Sequence, residues 1–427
     1  MTGVEPFAEG SPYAGYLYSY PHKTAYREIQ PAVDLAELWS REDRSALSLY
    51  LHVPFCEMRC GFCNLFTRSR PPGERVSAWL GTLRRQAAVV RQAIGPAQFE
   101  RFAIGGGTPT MLEPGQIESL FDILGGFGVL GRPSSVETSP ATATPDRLAV
   151  LKAAGVTRVS IGVQSFEAAE VQAAQRQQSN VQVAAALDRI RAADFAVLNL
   201  DLIYGIPGQS AMSWERSLRA ALEFRPEEIY LYPLYVRPLT GMAVRARNPD
   251  DALRTQLYLA GRDLLLAEGY VQCSMRMFTK SAESATTGAY RCQEDGMIGL
   301  GVGARSYASG LHYSTDYAVR ARGVEAILDD WITRTDAEFA VASHGIRLDA
   351  SEQARRRLIL TLLAREVVVE VPPELEPAVG SLLAAGLARR TEHGIELTDA
   401  GVARSDAIGP ALISPAVRSR MAAWESR

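Results

Sequence analysis

The sequence predicts an α/β protein built on a parallel sheet, followed by a small helix-rich domain. Three observations predict this. Short apolar runs at 49–53, 102–104, 135–138, 158–162, 197–203 and 228–235 recur along the first half, with helix-like segments such as 76–94 and 181–193 between them. Repeated strand-then-helix units close as a parallel sheet with right-handed crossovers. After residue 240 the alternation stops, and from about 346 the chain turns helix-rich, with Ala354, Leu358, Ile359 and Leu362 on one face of a helix over 351–363.

At 427 residues the chain has room for two or three domains and a large core. Its net charge of -3 argues against a general nucleic-acid binder. Lysine occurs only at Lys23, Lys152 and Lys280, and the arginine bias reads as base composition rather than phosphate recognition. No segment has the apolar length of a membrane span and no basic-then-apolar leader opens the chain, so a cytoplasmic location is expected.

The first 44 residues form an extension rich in tyrosine, with Tyr13, Tyr16, Tyr18, Tyr20 and Tyr26 and the tripeptide Pro21-His22-Lys23. It is expected to pack on the domain surface; capping an open side of the sheet domain or shaping a pocket is the competing reading. His22 is a candidate ligand only if the fold carries it to the site.

The strand-like run 48–55 leads into Cys56, Cys60 and Cys63. This C-x3-C-x2-C spacing lets three thiolates reach three irons of one [4Fe-4S] cube and leaves the fourth iron open for a ligand. Gly61 gives the loop the freedom to curl. A zinc site is the main alternative, although the second ligand pair that such sites normally require is missing from the sequence. Three cysteines that only fill a core would not cluster at ligand spacing. Cys273 and Cys292 stand alone and are expected to be buried as small hydrophobes.

The stretch from Tyr50 through Cys63 resembles the cluster loop of radical S-adenosylmethionine (SAM) enzymes, specifically the oxygen-independent coproporphyrinogen III oxidase family. Further matches follow in order: Gly105, Gly106, Gly107 and Thr108 in a glycine-rich motif, then Glu137, Gln164, Arg176 and Asp201 at the family's SAM-contact positions, over about residues 45–310. The resemblance implies a partial (β/α)6 TIM-like barrel of radical SAM type, with the motifs at the C-terminal ends of strands. It also implies a winged-helix-like C-terminal domain. The expected division is an extension at 1–44, the barrel at 45–240, a family-specific extension at the cleft at 241–345 and the C-terminal domain at 346–427.

As cofactors the resemblance implies a [4Fe-4S] cluster and one or two molecules of SAM, whose cleavage yields a 5'-deoxyadenosyl radical that abstracts hydrogen from substrate. As partners it implies a small molecule, a tetrapyrrole in the oxidase, and an electron donor such as flavodoxin or ferredoxin. A carboxylated substrate needs cations, and Arg237, Arg276, Arg291 and Arg305 lie where they could rim the cleft. Two departures keep other branches open. Authentic oxidases carry a cysteine two positions after the third ligand, where this chain has Leu65 after Asn64. The haem-chaperone branch has a His-Asn and Tyr-Trp motif where this chain reads Thr287-Gly-Ala-Tyr290-Arg291-Cys292. A radical SAM C-methyltransferase using two SAM molecules and a non-catalytic haem-binding carrier are therefore the alternatives to oxidative decarboxylation.

Overall fold

The computed structural model describes residues 10–244, 247–280 and 292–424. In chain order its strands are β1 (Arg27–Asp34), β2 (Leu47–Val53), β3 (Phe55–Cys56), β4 (Arg68–Ser69), β5 (Phe99–Gly106), β6 (Ser134–Thr138), β7 (Arg158–Gln164), β8 (Val197–Tyr204), β9 (Glu228–Pro233), β10 (Val271–Gln272), β11 (Met277–Thr279), β12 (Met297–Leu300), β13 (Arg305–Tyr307), β14 (Leu311–Ser314), β15 (Val341–Arg347), β16 (Ala388–Thr391) and β17 (Gly394–Leu397).

Six of these, β2, β5, β6, β7, β8 and β9, lie side by side in that order with every neighbouring pair parallel. They are the six strands expected from the apolar runs. Leu47, Leu49, Leu51 and Val53 of β2 are fully buried, and most of the residues between them are buried too, as a strand covered on both faces requires. Helices Gly73–Ile94, Pro114–Gly125, Pro145–Ala153, Asn180–Ala192 and Ala211–Glu223 fill the crossovers. The first of them buries Val76, Trp79, Leu83, Ala87, Val90 and Ile94, three or four residues apart, against the sheet.

The sheet then extends at both ends. β12 joins the outer edge of β2 in parallel, and β13, β14, β15 and β1 continue antiparallel; past β9, β11 and β10 are antiparallel as well. Two expectations are corrected by this. The alternation does not stop at 240, because a further helix, Asp251–Ala267, capped by Asp250, precedes β10 and β11. The boundary expected between 345 and 346 falls inside β15, which pairs with β14 on one side and β1 on the other, so that residues of the N-terminal extension and of both later segments share one sheet.

The C-terminal segment contains helices Ala350–Leu363 and Glu376–Ala384 followed by the β16–β17 hairpin, the order of a winged helix. Its first helix buries Leu358, Ile359 and Leu362 as expected, and with them Arg355 and Arg356; Ala354 is half-buried. The segment is tied to the barrel and to the N-terminal extension. Asp406 pairs with Arg276 and accepts a hydrogen bond from Tyr235 Oη at 2.5 Å, while its carbonyl accepts the Gly15 amide at 2.9 Å. Glu352 bonds Tyr20 and Ser414. No helix among the described residues is long and apolar enough to cross a membrane.

Candidate active site

The C-terminal ends of β2, β5, β6, β7 and β8 carry the residues singled out in the sequence. The cysteine loop leaves β2 through β3, whose parallel pairing with β4 closes the loop at its base. Its turn is pinned from two sides, since the Gly61 amide donates to Ala174 O at 3.1 Å and Gly61 O accepts the Met242 amide at 2.8 Å. A side chain at Gly61 would meet Met242 Cγ at 2.8 Å, so the loop sits closely under its neighbours.

The glycine-rich end of β5 runs against the start of that loop. The Gly107 amide donates to Val53 O at 2.8 Å and the Thr108 amide to Phe55 O at 2.7 Å. A Cβ on Gly107 would run into the Phe55 carbonyl, and Gly106 has a φ of +113° that L side chains rarely adopt. Gly105 leaves space for Glu137, whose Oε1 would lie 2.9 Å from an added Cβ. The motif therefore brings bare backbone beside the cysteines.

The three thiols have different partners. Cys56 Sγ lies 3.0 Å from Thr108 Oγ1, and Arg176 Nη1 donates to Cys60 Sγ at 3.1 Å. Burial pushes the Cys56 thiol up to about 12 and raises that of Cys63. Among the described residues no three His, Cys, Asp or Glu side chains gather around a single-ion position. Thiols that bind three different irons of a cube stand farther apart than the ligands of one ion.

Arg176 also donates to Gly162 O at 2.5 Å and to Gln178 at 2.6 Å, so its guanidinium is fixed on β7. Gln164, at the end of β7, is buried with a φ of +71°, at a register shift against β8. A left-handed, non-glycine residue at a bulge is the kind of backbone strain that concentrates at functional sites. Two carboxyls complete the strand ends, Glu137 solvent-exposed on β6 and Asp201 half-buried on β8. Glu137 Oε2 accepts the Gly106 amide at 3.1 Å, and the protein atoms crowded around it, reinforced by the nearby Asp201, hold its carboxyl above the usual range. Asp201 accepts from Asn199 Nδ2 at 2.8 Å, and burial raises it to about 6. Tyr50 donates or accepts across 3.1 Å with His52 Nδ1.

A cavity of about 390 Å³ is reached through Tyr50, the one of these residues that lines it, and its other walls include Tyr16, Tyr18, Tyr307 and Arg305 together with Glu294 and Glu366. The N-terminal tyrosines are thus part of its wall and do not merely coat the domain surface; this corrects the expectation for that segment. His22 bonds Thr24 Oγ1 at 2.9 Å and does not reach the cysteines as a ligand. Of the four expected rim arginines, Arg276 is bound to Asp406, Arg291 lies outside the described residues, and Arg237 and Arg305 have no acidic partner among the described residues. Cys292 is buried with Met297 and Tyr307 and lines the cavity, whereas Cys273 is half-buried, its strand edge leaving it open on one side.

Residues 50–221 match the model of the radical SAM superfamily. The chain is 30% identical over 277 residues to the haem chaperone HemW of Bacillus subtilis, covering 62% of this chain and 71% of that one. It belongs to the radical SAM superfamily. Within it, the relatives are of the coproporphyrinogen III oxidase and HemW kind: the oxygen-independent coproporphyrinogen III oxidase of Bradyrhizobium diazoefficiens is 34% identical over 276 residues, 62% of this chain and 61% of that protein's own length. The coproporphyrinogen III oxidase HemN of Escherichia coli shares the fold, with a TM-score of 0.79 at 23% identity over 93% of this chain and 97% of the other. Radical SAM proteins use a [4Fe-4S] cluster and SAM. The residues present fit both groups: three thiols on one pinned loop, one of them already facing a guanidinium, a backbone cradle with no room for a Cβ, and two strand-end carboxyls suited to a cationic ligand.

Proposed function

We propose that this radical SAM protein is an oxidoreductase acting on a carboxylated small molecule, with a coproporphyrinogen-type oxidative decarboxylation in porphyrin biosynthesis as the specific case. The observation that carries the reading is the convergence of Cys56, Cys60 and Cys63 with Arg176, Glu137 and Asp201 at one sheet edge, beside a cavity walled by tyrosines and Arg305. In this reading the three cysteines hold the cluster. Gly105, Gly106, Gly107, Thr108, Tyr50, Glu137, Gln164, Arg176 and Asp201 hold SAM, and residues 45–240 supply the barrel that positions them. When bound, cluster and SAM supply a 5'-deoxyadenosyl radical able to abstract hydrogen.

The chain's own residues have separate tasks. Arg176 balances charge on the Cys60 sulfur and fixes the loop against β7. Glu137 and Asp201, raised toward neutrality in the empty protein, are drawn back to the ionised form by a cation, which favours SAM over a neutral analogue. The tyrosines keep water from the reacting carbon. Each propionate converted to a vinyl gives up one hydrogen atom, CO2 and one further electron, so a reduced donor such as flavodoxin or ferredoxin starts the reaction and an electron acceptor closes it. A cytoplasmic location suits such a reducing chemistry.

Anaerobic incubation of the reconstituted protein with SAM, a reductant and coproporphyrinogen III tests this. Methionine, 5'-deoxyadenosine and a decarboxylated porphyrinogen are expected in step. Deoxyadenosine without decarboxylation would sink the substrate, S-adenosylhomocysteine would favour methyl transfer, and stoichiometric haem retention without SAM cleavage would favour a carrier. Replacing Cys60 with Ala is expected to remove iron, sulfide and all SAM cleavage together, read by metal analysis and visible absorbance.

A further inference from the structure

Gln164 ends β7 in a conformation that has to be held. The Ser165 amide donates to Val163 O at 2.9 Å, closing a three-residue turn around Gln164 at a φ of +71°. This is the strained hand of the γ-turn, and a residue with a Cβ stays in it only where its surroundings fix it. The turn folds the Gln164 side chain back over Gly162, the register partner of Asp201 on β8. A Cβ at Gly162 would lie 2.6 Å from Gln164 Nε2 and 3.5 Å from Arg176 Nη2. The amide group thus stands beside the guanidinium that bonds Cys60.

The surroundings that fix the turn centre on Glu170, which no motif in the sequence marks. It lies on the short helix Ala168–Ala173 and is only 3% exposed. Its Oε2 accepts from Ser165 Oγ at 2.6 Å and from Gln209 Nε2 at 2.9 Å, and its Oε1 accepts from Ser213 Oγ at 2.5 Å. The buried Ser165 hydroxyl also accepts the Glu167 amide at 2.9 Å and lies 3.2 Å from Ser217 Oγ, which takes the Phe166 amide at 3.1 Å. Gln209, in the loop after β8, accepts the Gly205 amide at 2.5 Å. One carboxylate therefore ties the residue after Gln164 to the loop after β8 and to the start of helix Ala211–Glu223. On the other side of the turn, Gln178 Nε2 donates to Val163 O at 2.6 Å while its Oε1 accepts from Arg176 Nε at 2.6 Å. A carboxylate suits the centre of this network because both of its oxygens only accept; an amide would turn an N–H toward one of the three donors. Buried networks whose members are satisfied rigidify what they hold.

We propose that Glu170 is a positioning residue for the SAM site: through Ser165 it holds the turn at Gln164, and so keeps the Gln164 amide in place beside Arg176. This rests on the reading that Gln164 contacts SAM.

Glu170→Gln, Gln164→Gly and the double variant are compared with the native reconstituted protein, with SAM itself as the probe in calorimetry. Glu170→Gln is expected to weaken SAM binding about tenfold, the size of one lost hydrogen bond to a charged group. Glycine takes the left-handed turn without strain but has no amide side chain to offer. In the Gln164→Gly background the Glu170 replacement is therefore expected to cost no more than about twofold, since its effect runs through the side chain already removed. A second readout needs no ligand. Hydrogen exchange of segment 163–167 is expected to speed up at least about tenfold in Glu170→Gln while β5 and β6 keep their protection. Ser165→Ala cuts the same link at its other end and leaves Glu170 two donors, so it is expected to shift both readouts in the same direction should Glu170→Gln fold poorly. Additive losses of SAM affinity in the double variant overturn the proposal alone, as do unchanged SAM binding in Glu170→Gln and Ser165→Ala, or unchanged exchange at 163–167. A native protein that binds no SAM overturns the SAM site itself and this proposal with it.

Discussion

Arg276, buried, and Arg305, half-buried, are two arginines stacked on neighbouring tyrosines of the same N-terminal extension, Tyr16 at 3.7 Å and Tyr18 at 4.8 Å. One is neutralised within the protein and the other is not. Arg276, on the loop leading into β11, is locked to Asp406 of the C-terminal helix Ser405–Ala411, with Tyr235 as a third partner. It joins barrel, extension and C-terminal segment. Arg305 faces a cavity that Glu294 and Glu366 also line, but no carboxylate among the described residues forms an ion pair with it, and its contacts are the Ser19 hydroxyl and the Tyr18 ring. The same residue type is a structural latch where the fold pairs it with an acid, and elsewhere is held by a ring and a hydroxyl alone.

The largest effect expected from breaking this comparison is at the latch. Asp406→Ala leaves Arg276 buried without its counter-charge, which in other proteins costs about 3–5 kcal/mol. Thermal or urea denaturation of the variant is expected to show a loss of that size. Replacing both partners by apolar residues is expected to recover most of it, because the cost belongs to the unpaired charge. A single variant as stable as the native protein would mean that the latch is already solvated and that the two arginines do not differ in the way described.

How much of this was legible in the sequence follows the same division. The parallel half was readable, because strands such as β2 and β8 are buried on both faces and show as continuous apolar runs, and because the cysteines and glycines stand at their ends. The antiparallel flank was not. β10 to β14 are only two to four residues long, too short to display alternation. β15 has the broken pattern Val-Ala-Ser-His-Gly-Ile-Arg, with Gly345 placed where a Cβ would meet the His312 carbonyl. Nothing local marks it as the strand that binds β1 to β14. Arg276 and Arg305 could not be told apart either, since Asp406 lies 130 residues from the first, and the Ser19 contact of the second spans 286.

The strand-end acids give a contrast of opposite sign, and a middle-sized effect. Glu137 and Asp201 are raised to about 7 and about 6, chiefly by the protein atoms crowded around them. A carboxyl raised in the folded state contributes stability that is fully present below its unfolded value, near 4, and is lost as pH rises through the folded one. The protein without SAM is therefore expected to lose stability between about pH 4 and 7, more through half-buried Asp201 than through Glu137, whose exposure to water screens its share. Glu137→Gln is expected to flatten this slope, and SAM to reduce it by holding the carboxylates ionised. Melting curves across that range, with and without SAM, decide it; a flat profile in the native protein would show that both acids are already ionised in the empty site.

The smallest effect is expected at the cavity wall, and it is the sharpest statement of the comparison. Because no described acid forms an ion pair with Arg305, Arg305→Leu strands no paired carboxylate. Its stability is expected to stay within about 1 kcal/mol of the native protein, or to rise. Losses could come only from the Ser19 hydrogen bond and the stacking on Tyr18, each worth about 1 kcal/mol in typical proteins. Urea denaturation of Arg305→Leu beside Asp406→Ala thus measures one question twice. Where removal of a charge is costly, the fold had already supplied its partner; where removal is tolerated, no paired carboxylate was left behind.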